Sequence, residues 1–269
     1  AEPGIDRVNY VSKGWSNPAS FTARTNFVNF IDGKVKPATI WDPNKYLNMW
    51  VTDENINSVQ VLGYATFPAG AALTGLPAGG TATDDGFFAY AKTFGSKNIY
   101  PSGTYYSPYD MGRTCSHEIG HYLGLRHTWG DGNCATDYCN DTPPEAGYNF
   151  GCPSGYPFRA GTCSSPSNSP DGIMTMNIMD YTDDRCMYMF TVDQTARIQT
   201  AMQTGAFRKQ LNTNAATLCS VTGIAENNLS ENILLCPNPS AGIFNVQCSM
   251  FNGNVSTIEI YNILGEKVY

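Results

Sequence analysis

Histidine is scarce in this chain: three stand among 269 residues. Long apolar runs are missing too, and none reaches the ~18 residues that a membrane helix needs. Basic clusters are absent, and a net charge of −7 argues against a nucleic-acid partner. There is no internal repeat and no CxxC pair, which sets aside repeat arrays and cysteine-type zinc knuckles. Charged residues make up only 14% against 42% hydrophobic, the balance of a globular secreted protein rather than a disordered one. The length suits one sizeable domain with an appendage.

The whole stock of histidine lies in one run, HEIGHYLGLRH, as His117, His121 and His127. Residues four apart share a helix face, so His117 and His121 can point at one ion. Three nitrogen ligands with one open position make a catalytic zinc site. Glu118 stands where a general base reaches a metal-activated water. Gly124 tolerates a left-handed turn that returns His127 to the metal. The helix reads as starting at Ser107 (N-cap) and Pro108, with Met111, Cys115, Ile119 and Leu123 as its buried stripe.

Further along, Asn177-Ile178-Met179-Asp180-Tyr181 puts a methionine and a tyrosine on a tight segment. With the extended histidine motif, this resembles the metzincin metallopeptidases. By that likeness Met179 is the turn methionine beneath the metal, and Tyr181 the tyrosine that steadies an oxyanion. Three longer stretches, GRTCSHEIGHYLGLRHTWGDGNC, NDTPPEAG and NIMDYTDDRCMYMFT, are similar to the pappalysin family of the ulilysin/mirolysin type. The resemblance implies an α+β fold: a twisted mixed sheet plus the zinc-site helix above, an irregular disulfide-stapled part closed by a C-terminal helix below, and a cleft between.

It also implies an endopeptidase cutting proteins and peptides, with Asp184 favouring Arg or Lys just after the cut bond. The alternative for Asp183 and Asp184 is a solvated acidic turn, and Arg185 could neutralise them. Calcium is implied at Asp137, Asp141 and Thr142, within a cluster that also holds Asp131, Asn133 and Asn140; the alternative is a turn with Asx caps. Two crosslinks are implied, Cys134–Cys163 and Cys152–Cys186, each closing ~30 residues and contributing roughly 3 kcal/mol. Cys115, Cys139, Cys219, Cys236 and Cys248 are left over.

Residues 1–105 read mostly as strands and turns, with strands over Tyr46–Val51, Val59–Ala65 and Gly86–Tyr90 followed by Phe94. Gly86–Phe94 is the candidate cleft edge, an interior strand being equally open. The stretch Thr128–Met176 is irregular and needs crosslinks or ions to hold it. Thr191 with Gln194 forms a capping box before a helix to about Thr204, with Val192, Ile198 and Met202 facing inward.

The catalytic domain is expected over 1–222, and the start of a sorting domain over 223–269. The stretch from Cys236 to Val246 resembles the opening of the C-terminal sorting domain of the type IX secretion system. Ile258–Tyr261 reads as a strand and Leu264–Lys267 as a turn of an incomplete β-sandwich. No signal peptide opens the chain, and the family's first strand and backing helix have no counterpart, so a fragment of a longer product is expected. Secretion machinery is the implied partner, with an extracellular location and no membrane insertion. Two rivals are carried: a hydrolase of non-peptide substrates, and a surface adhesion or binding protein on an inactive or incomplete scaffold.

Overall fold

The computed structural model describes residues 4–153, 163, 172–211 and 213, with the strand backbones of 233–236 and 245–248. Two compact units are present, Ala1–Leu218 and Cys219–Tyr269. In the second, β4 (Ile233–Cys236) pairs antiparallel with β5 (Asn245–Cys248), Ile233 opposite Cys248. Cys219, Ile258–Tyr261 and Leu264–Lys267 lie outside the described residues.

The first unit is built on a three-stranded sheet in the order β1-β3-β2. Strand β1 (Met49–Thr52) runs parallel to β3 (Phe87–Tyr90), and β2 (Gly63–Ala65) runs antiparallel on its other side. Phe87 to Tyr90 are all buried, as a central strand covered on both faces demands. The Gly86–Phe94 stretch therefore supplies the interior strand, with β1 at one edge and β2 at the edge that lines the cleft. The expected Val59–Ala65 strand is shorter for a local reason. Val59 ends a helical turn, α3 (Ile56–Val59), Gln60 is left-handed, and the Val61 amide bonds the Glu54 carboxylate instead of a strand. Tyr46 and Leu47 stay exposed ahead of β1.

Residues 1–105 also hold helix where strands and turns were expected. α1 (Arg24–Phe30), a π-helical turn at Ile31–Val35 and α2 (Lys36–Thr39) run on from one another against the sheet. Phe27 and Ile31 pack with Trp50, Val59, Val61 and Phe88, the Phe27 and Phe88 rings meeting edge to face at 5.4 Å. This helical stretch covers one face of the sheet. Lys36 is buried inside it, paired with Asp32 at 2.8 Å and lying over the Tyr64 ring at 4.5 Å.

The histidine helix, α4 (Arg113–Tyr122), starts later than Ser107, which lies in a turn with Pro108. Gly112 is left-handed, and the distant Asp184 carboxylate accepts from the Met111 and Arg113 amides at 2.8 and 3.1 Å. That caps the helix start from across the fold. Met111, Cys115, Ile119 and Leu123 are only half-buried; the buried face carries His117, Glu118, Gly120 and His121. Helix α5 (Val192–Thr204) has the expected capping box. Val192 is 80% exposed, and Ile198 and Met202 are half-buried, because the inward face belongs to Gln194, Arg197 and Ala201. Polar partners face that side: Gln194 meets Asn177, and Arg197 donates to the Gly124 carbonyl at 3.0 Å. Crosslinks Cys134–Cys163 and Cys152–Cys186 staple the irregular lower part, leaving Cys115 and Cys139 as thiols among the described residues.

Candidate metal centre

Helix α4 ends in a turn that places the third histidine. Leu125 N–H reaches back to Gly120 O and Gly124 N–H to His121 O, both at 2.9 Å, around a left-handed Gly124. This is a Schellman closure, and a Cβ at Gly124 would meet Leu73 at 2.7 Å. The turn also aims a ligand: His121 Nδ1–H donates to Leu125 O at 2.9 Å. His117 Nδ1–H donates to Ile178 O at 2.7 Å, and His127 Nδ1–H to Asp131. All three rings thus carry their proton on Nδ1 and turn an Nε2 lone pair inward.

One ligand nitrogen from each ring falls within 4.8 Å of the other two. His121 Nε2 and His127 Nε2 lie 3.0 Å apart, two acceptors face to face. Such an arrangement is repulsive with nothing between and favourable around a cation, so the donor set fits zinc. Burial, then the neighbouring imidazoles, push His117 well below its ordinary pKa; burial and His127 push His121 down to about 3. Both stay neutral and ready to ligate. Burial alone would raise Asp131, but the bonds from His127 and Arg126 outweigh it and hold its pKa at about 2. Asp131, grouped in sequence with candidate calcium ligands, is therefore the carboxylate that orients His127.

Glu118 enters the cleft beside β2. A Cβ at Gly63 would stand 2.6 Å from Glu118 Oε1, so only glycine leaves room. The carboxyl is buried with Oε2 unpartnered, and burial pushes its pKa up to about 8. Met179, fully buried, passes under the helix where a Cβ at Gly120 would lie 2.4 Å from its sulfur. Gly120 and Gly63 were missed from sequence; the glycine inside HEIGH was the available signal for the first. Asn177 was missed as well. Its amide exchanges hydrogen bonds with Gln194 at 2.8 and 3.1 Å, tying the Met179 turn to the capping box of α5. The Tyr181 ring lies 4.9 Å from His127 and 5.6 Å from His117.

These groups open into a cleft of about 670 Å³, walled above by Leu62–Ala65 and below by Asp180, Tyr181 and Asp184. Asp183 and Asp184 are buried, not a solvated turn, and Arg185 sits 3.5 Å from Asp183 rather than on Asp184. Near the expected calcium site, Thr142 donates to Asp137, and Asp141 Oδ1 is buried without a partner.

Residues 29–203 match the peptidase M43 model, described as pregnancy-associated plasma protein-A. The chain belongs to that family. Residues 235–269 match the secretion system C-terminal sorting domain, which marks the pappalysin chain as an exported protein. It is 34% identical over 200 residues to an extracellular metalloprotease of Verticillium alfalfae, covering 72% of this chain and 58% of the relative. A second extracellular metalloprotease, from Arthroderma otae, is 34% identical over 191 residues, with 69% and 62% covered. Mature mirolysin of Tannerella forsythia in complex with a cleaved peptide aligns at 40% identity and TM-score 0.54, covering 66% of this chain and 60% of that one. A promirolysin mutant of the same organism aligns at 36% identity and TM-score 0.56, with 74% and 60% covered. The pappalysin chain thus spans about three fifths of the length of each of these four relatives.

Proposed function

We propose that this chain is the catalytic part of a secreted zinc endopeptidase that hydrolyses proteins and peptides without a covalent intermediate. The observation that carries the reading is the convergence of three Nε2 lone pairs beside an unpartnered buried carboxyl at an open cleft. His117, His121 and His127 would hold the zinc. When bound, zinc supplies Lewis acidity that polarises a scissile carbonyl and brings the pKa of water to about 7. Glu118 takes a proton from the attacking water and returns it to the leaving amine. The Tyr181 hydroxyl, half-buried among the histidine rings, donates to the developing oxyanion. The free edge of β2 offers backbone groups on which an extended substrate adds as a further strand.

Asp184 is assigned the recognition of Arg or Lys just after the cut bond, because its carboxylate lines the cleft with one oxygen fixed by two amides. Peptides with Arg at that position are expected to outrun Leu peptides, and Asp184→Asn to narrow the gap. Equal rates on both in the wild type remove this assignment. Calcium is assigned to Asp137, Asp141 and Thr142, where the unpartnered Asp141 oxygen is the support; calcium should raise the melting temperature of wild type but not of Asp141→Ala. The sorting domain is assigned to engagement of the secretion machinery.

Casein hydrolysis by the zinc-loaded chain against Glu118→Ala tests the central reading. Activity confined to the wild type supports the peptidase. Equal activity in both, or none in either, points instead to the non-peptide hydrolase or the binding scaffold.

A further inference from the structure

Two large aromatic side chains stand in water beside the cleft with no core to join. Tyr148 is 55% exposed and Phe150 61% exposed, on the irregular segment between the two crosslinks. Burying such rings is favourable, so their exposure on one side of a fixed segment calls for an occupant.

The segment is fixed by the residue between them. Asn149 is buried, its amide N–H donating to Asp180 Oδ1 at 2.8 Å and its side-chain amide bridging Asp180 Oδ2 and Glu145 Oε2 at 2.8 and 3.1 Å. With Asn149 drawn inward, its two neighbours are thrown outward. Gly151 O then accepts from Asp183 N–H at 2.9 Å, and Cys152 is crosslinked to Cys186. The rings are packed on one another as well as placed. Phe150 meets Tyr148 at 4.9 Å, and Tyr148 and Phe150 face Tyr181 at 5.5 and 6.4 Å with interplanar angles of 31° and 25°. Tyr181 in turn touches Trp129 at 4.9 Å, on which His127 stacks at 4.3 Å. A continuous aromatic surface therefore runs from a metal ligand to Phe150, which lines the cleft.

We propose that Phe150, braced by Tyr148, is a specificity-determining ledge that takes a large apolar side chain of the substrate close to the scissile bond, at a position other than the one assigned to Asp184. The inference rests on the peptidase reading and deepens it. Continuity with the cleft selects the occupant: an extended peptide paired along β2 turns every second side chain toward the opposite wall, and this part of that wall is apolar. Desolvating one such side chain against a ring is worth about 1–2 kcal/mol, or roughly 5–30-fold in rate.

The test uses the zinc-loaded full chain and a peptide panel that keeps Arg just after the cut bond and varies each of the two residues before the bond, and the residue beyond the Arg, among Phe, Leu and Gly. Wild type is expected to show a kcat/KM ratio of Phe to Gly of about tenfold or more at one position. Phe150→Ala is expected to bring that ratio near one, Tyr148→Ala to lower it part-way, and Phe150→Leu to keep most of it. Val192→Ala, at an exposed site on α5, should leave the ratio where wild type has it. A ratio unmoved in Phe150→Ala, or no apolar preference in the wild type, overturns the ledge while leaving the peptidase intact. No hydrolysis of any peptide by the wild type overturns both.

Discussion

Asp131 decides how firmly the third imidazole is held. Its carboxylate accepts a hydrogen bond from His127 Nδ1–H and is itself clamped by Arg126 at 3.0 and 3.2 Å. A carboxylate behind a ligating histidine fixes the ring and raises its basicity. Asp131→Asn keeps the shape but loses the charge, and metal affinity is expected to fall about 10–100-fold. Competition against a chromogenic chelator reads this directly; an affinity unchanged within twofold would show that His127 needs no partner. The ligands themselves were legible because their spacing is dictated by helix geometry alone. Asp131 was not: four residues past His127, among other acidic groups, it carried no mark separating it from a cation ligand. The same holds for Gly63, whose importance lies in the space it leaves for a side chain 55 positions away.

Helices α4 and α5 and the Met179 turn behave as one unit. The capping box of α5 is local, and Thr191 and Gln194 announced it in sequence. The second use of Gln194 is not local. Its side chain accepts from Thr191 N–H at 2.9 Å while pairing with Asn177, whose Oδ1 also accepts the Met179 amide at 2.9 Å. Removing either buried amide leaves the other without its partner, at about 1–3 kcal/mol. Asn177→Ala and Gln194→Ala are each expected to cost that much in urea unfolding, and the double variant clearly less than the sum. Strict additivity would show the two act separately. The start of α4 eluded the sequence for a related reason: Asp184, some seventy residues on, supplies its cap, so the nearer Ser107 and Pro108 looked like the boundary. β2 shrank from the expected strand because Glu54 captures the Val61 amide, a contact that alternation cannot foretell.

Across the whole molecule, buried carboxyls set the pH range in which the fold is secure. Burial and the adjacent Asp180 carboxylate push Glu145 up to about 8, against an ordinary 4.5. The folded chain then keeps a proton that the unfolded chain releases, so this contribution is whole below pH 4.5 and is lost as pH rises toward 8. Glu145→Gln cannot ionise. It is expected to match or trail wild type near pH 4.5 and to gain on it by up to a few kcal/mol at pH 8, measured as the difference in urea unfolding. A difference that stays constant with pH would contradict the assignment. The α+β architecture and the two crosslinks were legible through the family likeness; the helical layer at Arg24–Thr39 was not, since Phe27 and Ile31 find their role only against Trp50 and Phe88.

The most direct test of the central claim is zinc content per chain after exhaustive dialysis, for wild type, His127→Ala and Glu118→Ala. One zinc in wild type and in Glu118→Ala, with loss from His127→Ala, is the outcome this account predicts. Zinc absent from the wild type, or retained in full when His127 is gone, would contradict it.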